Sequence, residues 1–323
     1  MTTSKIIERI EREIGIPGLA SALAERLSPT DLQSLLMEVY RQRVGRRQPP
    51  QLLGQYERDR FTRPAALSPL TLLEWDRTAF AQLPAGFEAV LLSPVTSLGT
   101  NAAVALVDQN KAMSTIYNTE VVSDSTNVLA LEAALRRKAH LKQNPKSAEA
   151  VHLAASHRLL RTQNYGDPRS LAHFSTVVLC SAGRDTGNLT FERTMLAQHI
   201  GFYLSALRAY LGDDIRLRVA ITDFSAEGET SAHIDWLCDK LSQDFPTTAC
   251  EPDQQRSSGR GYYVDLCFHL YFETLDGQWI EVGDGGVVDW TQKLLSSAKE
   301  RCVTSGIGSD RVCAEYEIRR ANK

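Results

Sequence analysis

The sequence has no run near the roughly 18 apolar residues that span a bilayer, and no basic stretch leading into an apolar one after Met1. Neither a transmembrane segment nor a secretory signal is therefore read from it, and a cytoplasmic protein is expected. Its six cysteines (Cys180, Cys238, Cys250, Cys267, Cys302 and Cys313) form no C-x-x-C pair, and most have apolar neighbours. That favours reduced, buried thiols over disulfides or zinc ligands. No sign of charge dominates: 36 Lys and Arg face 39 Asp and Glu, a net of −3, so bulk charge does not mark a nucleic-acid-coating protein. Internal repeats and low-complexity tracts are also missing. What remains is an ordinary globular composition, 43% hydrophobic over 323 residues, enough for one large domain or two.

Residues 3–60 read as helices. Ile6, Ile7, Ile10 and Ile14 form one apolar stripe and Leu19, Leu23 and Leu27 another, and Ser28-Pro29 starts a third helix. That helix ends in Arg41, Arg43, Arg46 and Arg47, a cluster that either meets nucleic-acid phosphates or, more commonly, is a solvated helix end facing the negative pole of the dipole. Proline breaks at Pro49-Pro50 and Arg63-Pro64 suggest a linker. The expected division is a helical domain over 1–64 and a core over 65–323, with a mostly helical insertion near 226–255. Within the core, a helix from Ser68 precedes a strand at 87–92. Val151 to Gln163 reads as a strand, followed by a loop and a returning strand from His173. A long helix covers 191–210, and further strands begin near 217, 261 and 279.

Three stretches carry chemistry. In Arg158-x-x-Arg161-x-Gln163, a strand arginine offers two parallel N–H donors to a phosphate, with an amide two residues on along the same face. Phe174, at the start of the returning strand, is placed to stack on a nucleobase. In Gly306-Ile307-Gly308-Ser309-Asp310-Arg311, glycines let a strand run tightly into a helix, and Arg311 sits on that helix's positive first turn, which suits a phosphate. In Ser123-Asp124-Ser125-Thr126-Asn127, small polar residues open a helix. One or two serve as N-caps, and the remainder are free to meet an ammonium group.

Glycine-apolar-glycine-x-acid-Arg resembles the third signature motif of class II aminoacyl-tRNA synthetases, and Arg158 to Gln163 resembles the second, with Leu160 for the aromatic and Gln163 for a glutamate. The helix and strand ending at Pro94 are similar to the first, whose elements form a dimer interface. The order Gly261-Tyr262-Tyr263, then Gly283-Asp284-Gly285-Gly286, then Gly306 to Arg311 is similar to histidyl-tRNA synthetase and its paralogues without an anticodon-binding domain. The resemblance implies an α+β class II core, an antiparallel sheet flanked by helices. It also implies ATP and Mg²⁺ as cofactors, and activation of an amino acid or small carboxylic acid as an acyl-adenylate by a homodimer. Arg161 and Arg311 would clamp phosphates, Gln163 and Phe174 would complete the nucleotide site, and Glu281 would hold the metal. Asp124, Thr126, Tyr262, Tyr263 and Gly285 would contact the substrate.

Departures mark the limits of the likeness. The family's arginine before Gly-Leu-Asp-Tyr-Tyr is absent or shifted to Arg256 or Arg260, and the Arg-Tyr after the glycines is replaced by Val287-Val288. Only 12 residues follow Arg311, which points to an acceptor other than tRNA, such as a carrier. A histidine-binding regulatory subunit of ATP phosphoribosyltransferase, and a full synthetase using the Arg41–Arg47 helix for tRNA, stand as alternatives.

Overall fold

The computed structural model describes residues 3–163, 172–225 and 231–322. Four helices come first: α1 (Thr3–Ile14), α2 (Leu19–Glu25), α3 (Pro29–Val44) and α4 (Pro49–Arg58). Ser28 caps α3 by accepting from the Asp31 N–H at 3.1 Å, with Pro29 in the first turn where its missing donor is harmless. No described residue before Trp75 is buried, so the apolar stripes of α1 to α4 do not enter the core.

The core begins with α5 (Pro69–Phe80) and β1 (Phe87–Ala89), then β2 (Val95–Ser97), α6 (Thr100–Ala105), β3 (Met113–Ser114), β4 (Thr119–Val121) and α7 (Ser125–Gln143). Next come β5 (Val151–Leu160), β6 (His173–Arg184), α8 (Thr190–Leu211), β7 (Leu217–Asp223), α9 (Ala232–Asp244) and β8 (Ala249–Pro252). It closes with β9 (Leu266–Glu273), β10 (Trp279–Val288), α10 (Trp290–Leu295), β11 (Glu300–Gly308) and α11 (Ser309–Ala321). Eight strands form one sheet in the order β1-β5-β6-β11-β10-β9-β7-β8, and β2, β4 and β3 form a small second sheet.

The main sheet is mixed rather than wholly antiparallel. Its central ladders are antiparallel, but the edge strands β1 and β8 run parallel to β5 and β7. Side chains alternate across the sheet. One face, with Val177, Leu179, Val303 and Ile307, packs on α5, α8, α9 and α11. The other, with Val178, Cys180, Ala182 and Cys302, packs on α6, α7 and α10. All six cysteines are free thiols.

Several boundaries differ from expectation. β5 stops at Leu160, because His173 opposite it is the last ladder partner, so Arg161 and Gln163 lie beyond the strand. The segment expected as a helical insertion contains α9 and then β8, which extends the sheet; residues 226–230 lie outside the described residues. Gly261 to Tyr263 form a turn before β9 rather than a strand. The glycine-rich stretch 283–286 lies inside β10. Glycine is needed there because the strands close up: a Cβ at Gly283 would stand 2.5 Å from the Gly306 carbonyl oxygen.

Candidate active site

A cavity of about 690 Å³ opens on the α7 side of the sheet, between the start of α7, the ends of β5 and β6, and the junction of β11 with α11. Every sequence-predicted site residue lines it except Gly285. Gly285 is buried, and a Cβ there would meet Ser305 and Phe268 at 2.4 and 2.6 Å, so its place in the expectation passes to Asp284.

At one end, the Arg161 guanidinium lies 5.4 Å from the Phe174 ring centroid. Its Nε donates to the Ser123 carbonyl at 3.0 Å. Phe174, Thr176 and Val178 share one face of β6, so the aromatic ring and the cavity wall follow from strand alternation. Arg311, exposed on the first turn of α11, donates from Nη1 to the Glu281 carbonyl at 2.7 Å. Asp310 beside it is engaged elsewhere, accepting from the Ser175 N–H at 2.7 Å, and Glu315 pairs with Arg319 at 2.8 Å. Neither carboxylate therefore takes up Arg311. The Ser309 hydroxyl, where α11 begins, accepts from fully buried Trp75 of α5 at 3.0 Å, which fixes where that first turn sits.

At the deep end, Asp124 does two jobs. Its Oδ1 caps α7, accepting from the Thr126 amide and hydroxyl at 3.0 and 2.6 Å. Its Oδ2 accepts from the Tyr262 hydroxyl at 3.0 Å and lies 3.9 Å from Arg161. The capping reading of this residue is thus realised, and its second oxygen lies on the cavity wall. Tyr263 donates to Asp284 Oδ2 at 2.9 Å. Burial raises the carboxyl pKa of Asp284 and of Glu281, and in Glu281 the Asp284 charge adds to it. Burial, helped by Arg256, holds His269 down to about 4, so its imidazole is neutral at pH 7.

Of the two arginines weighed from the sequence, Arg256 reaches the cavity. It is 8% exposed and lines the cavity, with Nη2 3.7 Å from Asp284 Oδ2 and the guanidinium 5.5 Å from the Tyr263 ring centroid. Its Nη1 is buried without a hydrogen-bond partner among the described residues. Arg260 turns away, stacking on Phe224 at 4.8 Å. Among the residues the sequence reading left out, Asp284, His269 and Lys111 also line the cavity. Strand alternation does not find Asp284, because a bulge between Glu281 and Gly283 changes the parity of β10.

No protein-family profile matches the chain, and no curated protein is similar to it in sequence. Solved structures do match. An ATP phosphoribosyltransferase regulatory subunit/histidyl-tRNA synthetase from Bacillus halodurans superimposes with a TM-score of 0.59 at 13% identity, over 79% of this chain and 83% of that one. The chain has the fold of a class II aminoacyl-tRNA synthetase core. Histidyl-tRNA synthetase from S. aureus gives 0.56 at 12% identity over 78% and 68%, and a putative threonyl-tRNA synthetase from Aeropyrum pernix gives 0.53 at 10% over 78% and 59%. At these identities the likeness is one of fold. Among the described residues, no helix of this class II-like core or of α1 to α4 is long and apolar enough to cross a membrane.

Proposed function

We propose that this class II-like core activates an amino acid or related small carboxylic acid as an acyl-adenylate. The observation that carries the reading is that Arg161, Phe174 and Arg311, from three separate elements, line one cavity with Asp124 and Tyr262. The ATP base stacks on Phe174, and Arg161 and Arg311 offer forked donors to the phosphates. The α-ammonium of the acid meets Asp124, which Thr126 and Tyr262 hold in place. Its carboxylate is then set to attack the α-phosphate in line, with pyrophosphate leaving. Positioning and charge stabilisation carry the rate.

Mg²⁺ fits through Glu281, whose carboxylate is 48% open to the cavity. The described residues contain no cluster of three or more metal-ligating side chains, and such an ion commonly takes one or two carboxylates plus substrate phosphates. There it would neutralise phosphate charge. The acyl acceptor is tRNA, a carrier or a small molecule. Residues 1–64 form a separate helical domain, and a homodimer covers the exposed Leu70, Leu73 and Leu91, which are 75%, 63% and 95% accessible.

ATP–pyrophosphate exchange against a panel of amino acids tests the reading. Arg311→Ala should lower exchange roughly 30- to several-thousand-fold, the 2–5 kcal/mol loss of one partner in a charge pair, and Arg311→Lys should recover little. Wild-type protein that shows neither exchange nor stabilisation by Mg·ATP would point instead to a histidine-binding regulatory subunit.

A further inference from the structure

We infer that Asp284 reads a second, side-chain ammonium on the substrate, so that the activated acid is a diamino acid held by Asp124 at one ammonium and Asp284 at the other. This rests on the adenylate-forming reading and narrows it.

Asp284 projects from β10 into the deep end of the cavity, opposite His269 of β9 and Gly306 of β11. Gly306 has no side chain to cover it, and the His269 imidazole lies beside Glu281, with Nε2 3.9 Å from Oε2. The carboxylate stays 46% open to the cavity. Oδ2 accepts from Tyr263, while Oδ1 accepts no hydrogen bond among the described residues. A carboxylate oxygen inside a cavity requires a donor, and an apolar side chain placed against it would leave it unsatisfied.

Arg256 is not that donor. Its Nη2 stands 3.7 Å from Oδ2, close enough for a loose ion pair but beyond hydrogen-bond reach. A counter-ion role would close the fork, as Arg137 closes on Glu300 with two contacts of 2.9 Å. The partnerless Nη1 of Arg256 marks it instead for an anionic part of the ligand, the reacting carboxylate or the α-phosphate. Asp284 is then left for a cation. The charge balance agrees. Four basic residues (Lys111, Arg161, Arg256, Arg311) and four carboxylates (Asp124, Glu281, Asp284, Asp310) line the cavity. Mg·ATP enters as a dianion and a neutral amino acid adds no charge, whereas a side-chain ammonium brings the filled site nearer neutrality.

The test uses the purified full chain without ATP, titrated calorimetrically with diaminobutyrate, ornithine and lysine. Norvaline and norleucine serve as the neutral isosteres of ornithine and lysine, and histidine completes the panel. One diamino acid should bind about 10- to 100-fold tighter than its neutral isostere, the gain of a charge-assisted hydrogen bond. Asp284→Asn, which still accepts from Tyr263, should erase that difference while leaving the unliganded melting temperature undiminished. The inference is overturned if neutral acids or histidine bind as well as the diamino acids, if no acid binds at about 10 mM, or if Asp284→Asn weakens all ligands equally. Pyrophosphate exchange separates the two claims. A diamino acid that binds but is not exchanged removes the adenylate reading and keeps the ligand class. Exchange confined to neutral acids does the reverse.

Discussion

Arg137 with Glu300 and Arg256 with Asp284 are the same chemical pair in two states of completion. Arg137 of α7 and Glu300 of β11 are both 0% exposed, joined by two contacts of 2.9 Å, and the guanidinium also donates to the carbonyls of Ser147 and Glu149. Arg256 is almost as deeply buried, yet one nitrogen has no partner and its carboxylate neighbour faces a cavity. A closed pair ties α7 to the start of β11 and contributes to the fold. An open pair retains hydrogen-bonding capacity that only a ligand can satisfy. On the proposed reading, the closed pair serves stability and the open one serves the ligand, although both arginines are buried.

Breaking the closed pair should produce the largest effect. Arg137→Met leaves Glu300 charged and uncompensated in the interior, and should cost about 3–5 kcal/mol in urea denaturation. Replacing both residues, Arg137→Met with Glu300→Leu, should recover much of that loss. A single-variant loss under about 1 kcal/mol would erase the contrast between the two sites.

Arg256→Met should invert the pattern. Stability should fall by about 1.5–3 kcal/mol, since a charge-assisted hydrogen bond to the Ser258 carbonyl goes, with a ring contact and the loose ion pair to Asp284. Pyrophosphate exchange should drop roughly 30- to several-thousand-fold, equivalent to about 2–5 kcal/mol. Equal damage to stability and exchange would make Arg256 another structural arginine.

Asp284 supplies a test with a sign. Burial raises its carboxyl pKa, so the folded chain holds that proton more tightly than the unfolded one. Its contribution to stability is therefore full below the usual carboxylate value and is lost as pH rises through the raised one. Asp284→Asn cannot titrate. The variant should melt above wild type at pH 7, and the advantage should vanish as pH falls below about 4. An advantage that grows on acidification would contradict the burial of this carboxylate.

The smallest effect sharpens the choice between neighbours. Arg260 stacks on Phe224 outside the cavity, so Arg260→Ala should change exchange by less than about twofold and cost under about 1 kcal/mol. A large loss of exchange would return the shifted arginine to position 260.

Much of the site was legible because its pieces are local. Arg161, Phe174, Asp124 and Arg311 each stand at the end of an element, where short-range rules for turns, caps and glycines apply, and all four line the cavity. The elements themselves were partly readable too: α8, β7 and β10 fall where the sequence reading put them, whereas β11 was marked only by the glycines at its end. Less of the sheet was readable. The pairing of β1 with β5 joins Phe87 to His152, and that of β7 with β8 spans α9, so neither parallel edge leaves a mark in any one stretch.

By itself, the sequence determined that the chain is α+β, that its first part is helical, and that arginines stand where one strand ends and a helix begins, at 161 and 311. These properties depend on contacts within a few residues. Only the tertiary structure decided that Gly285 faces the core while Asp284 faces the cavity, because a single bulge in β10 shifts the alternation. The tertiary structure likewise decided that Arg256 enters the site and Arg260 leaves it. Where a side chain in an irregular loop points is set by what packs around it, here Tyr263 and Phe224, and no local pattern encodes those neighbours.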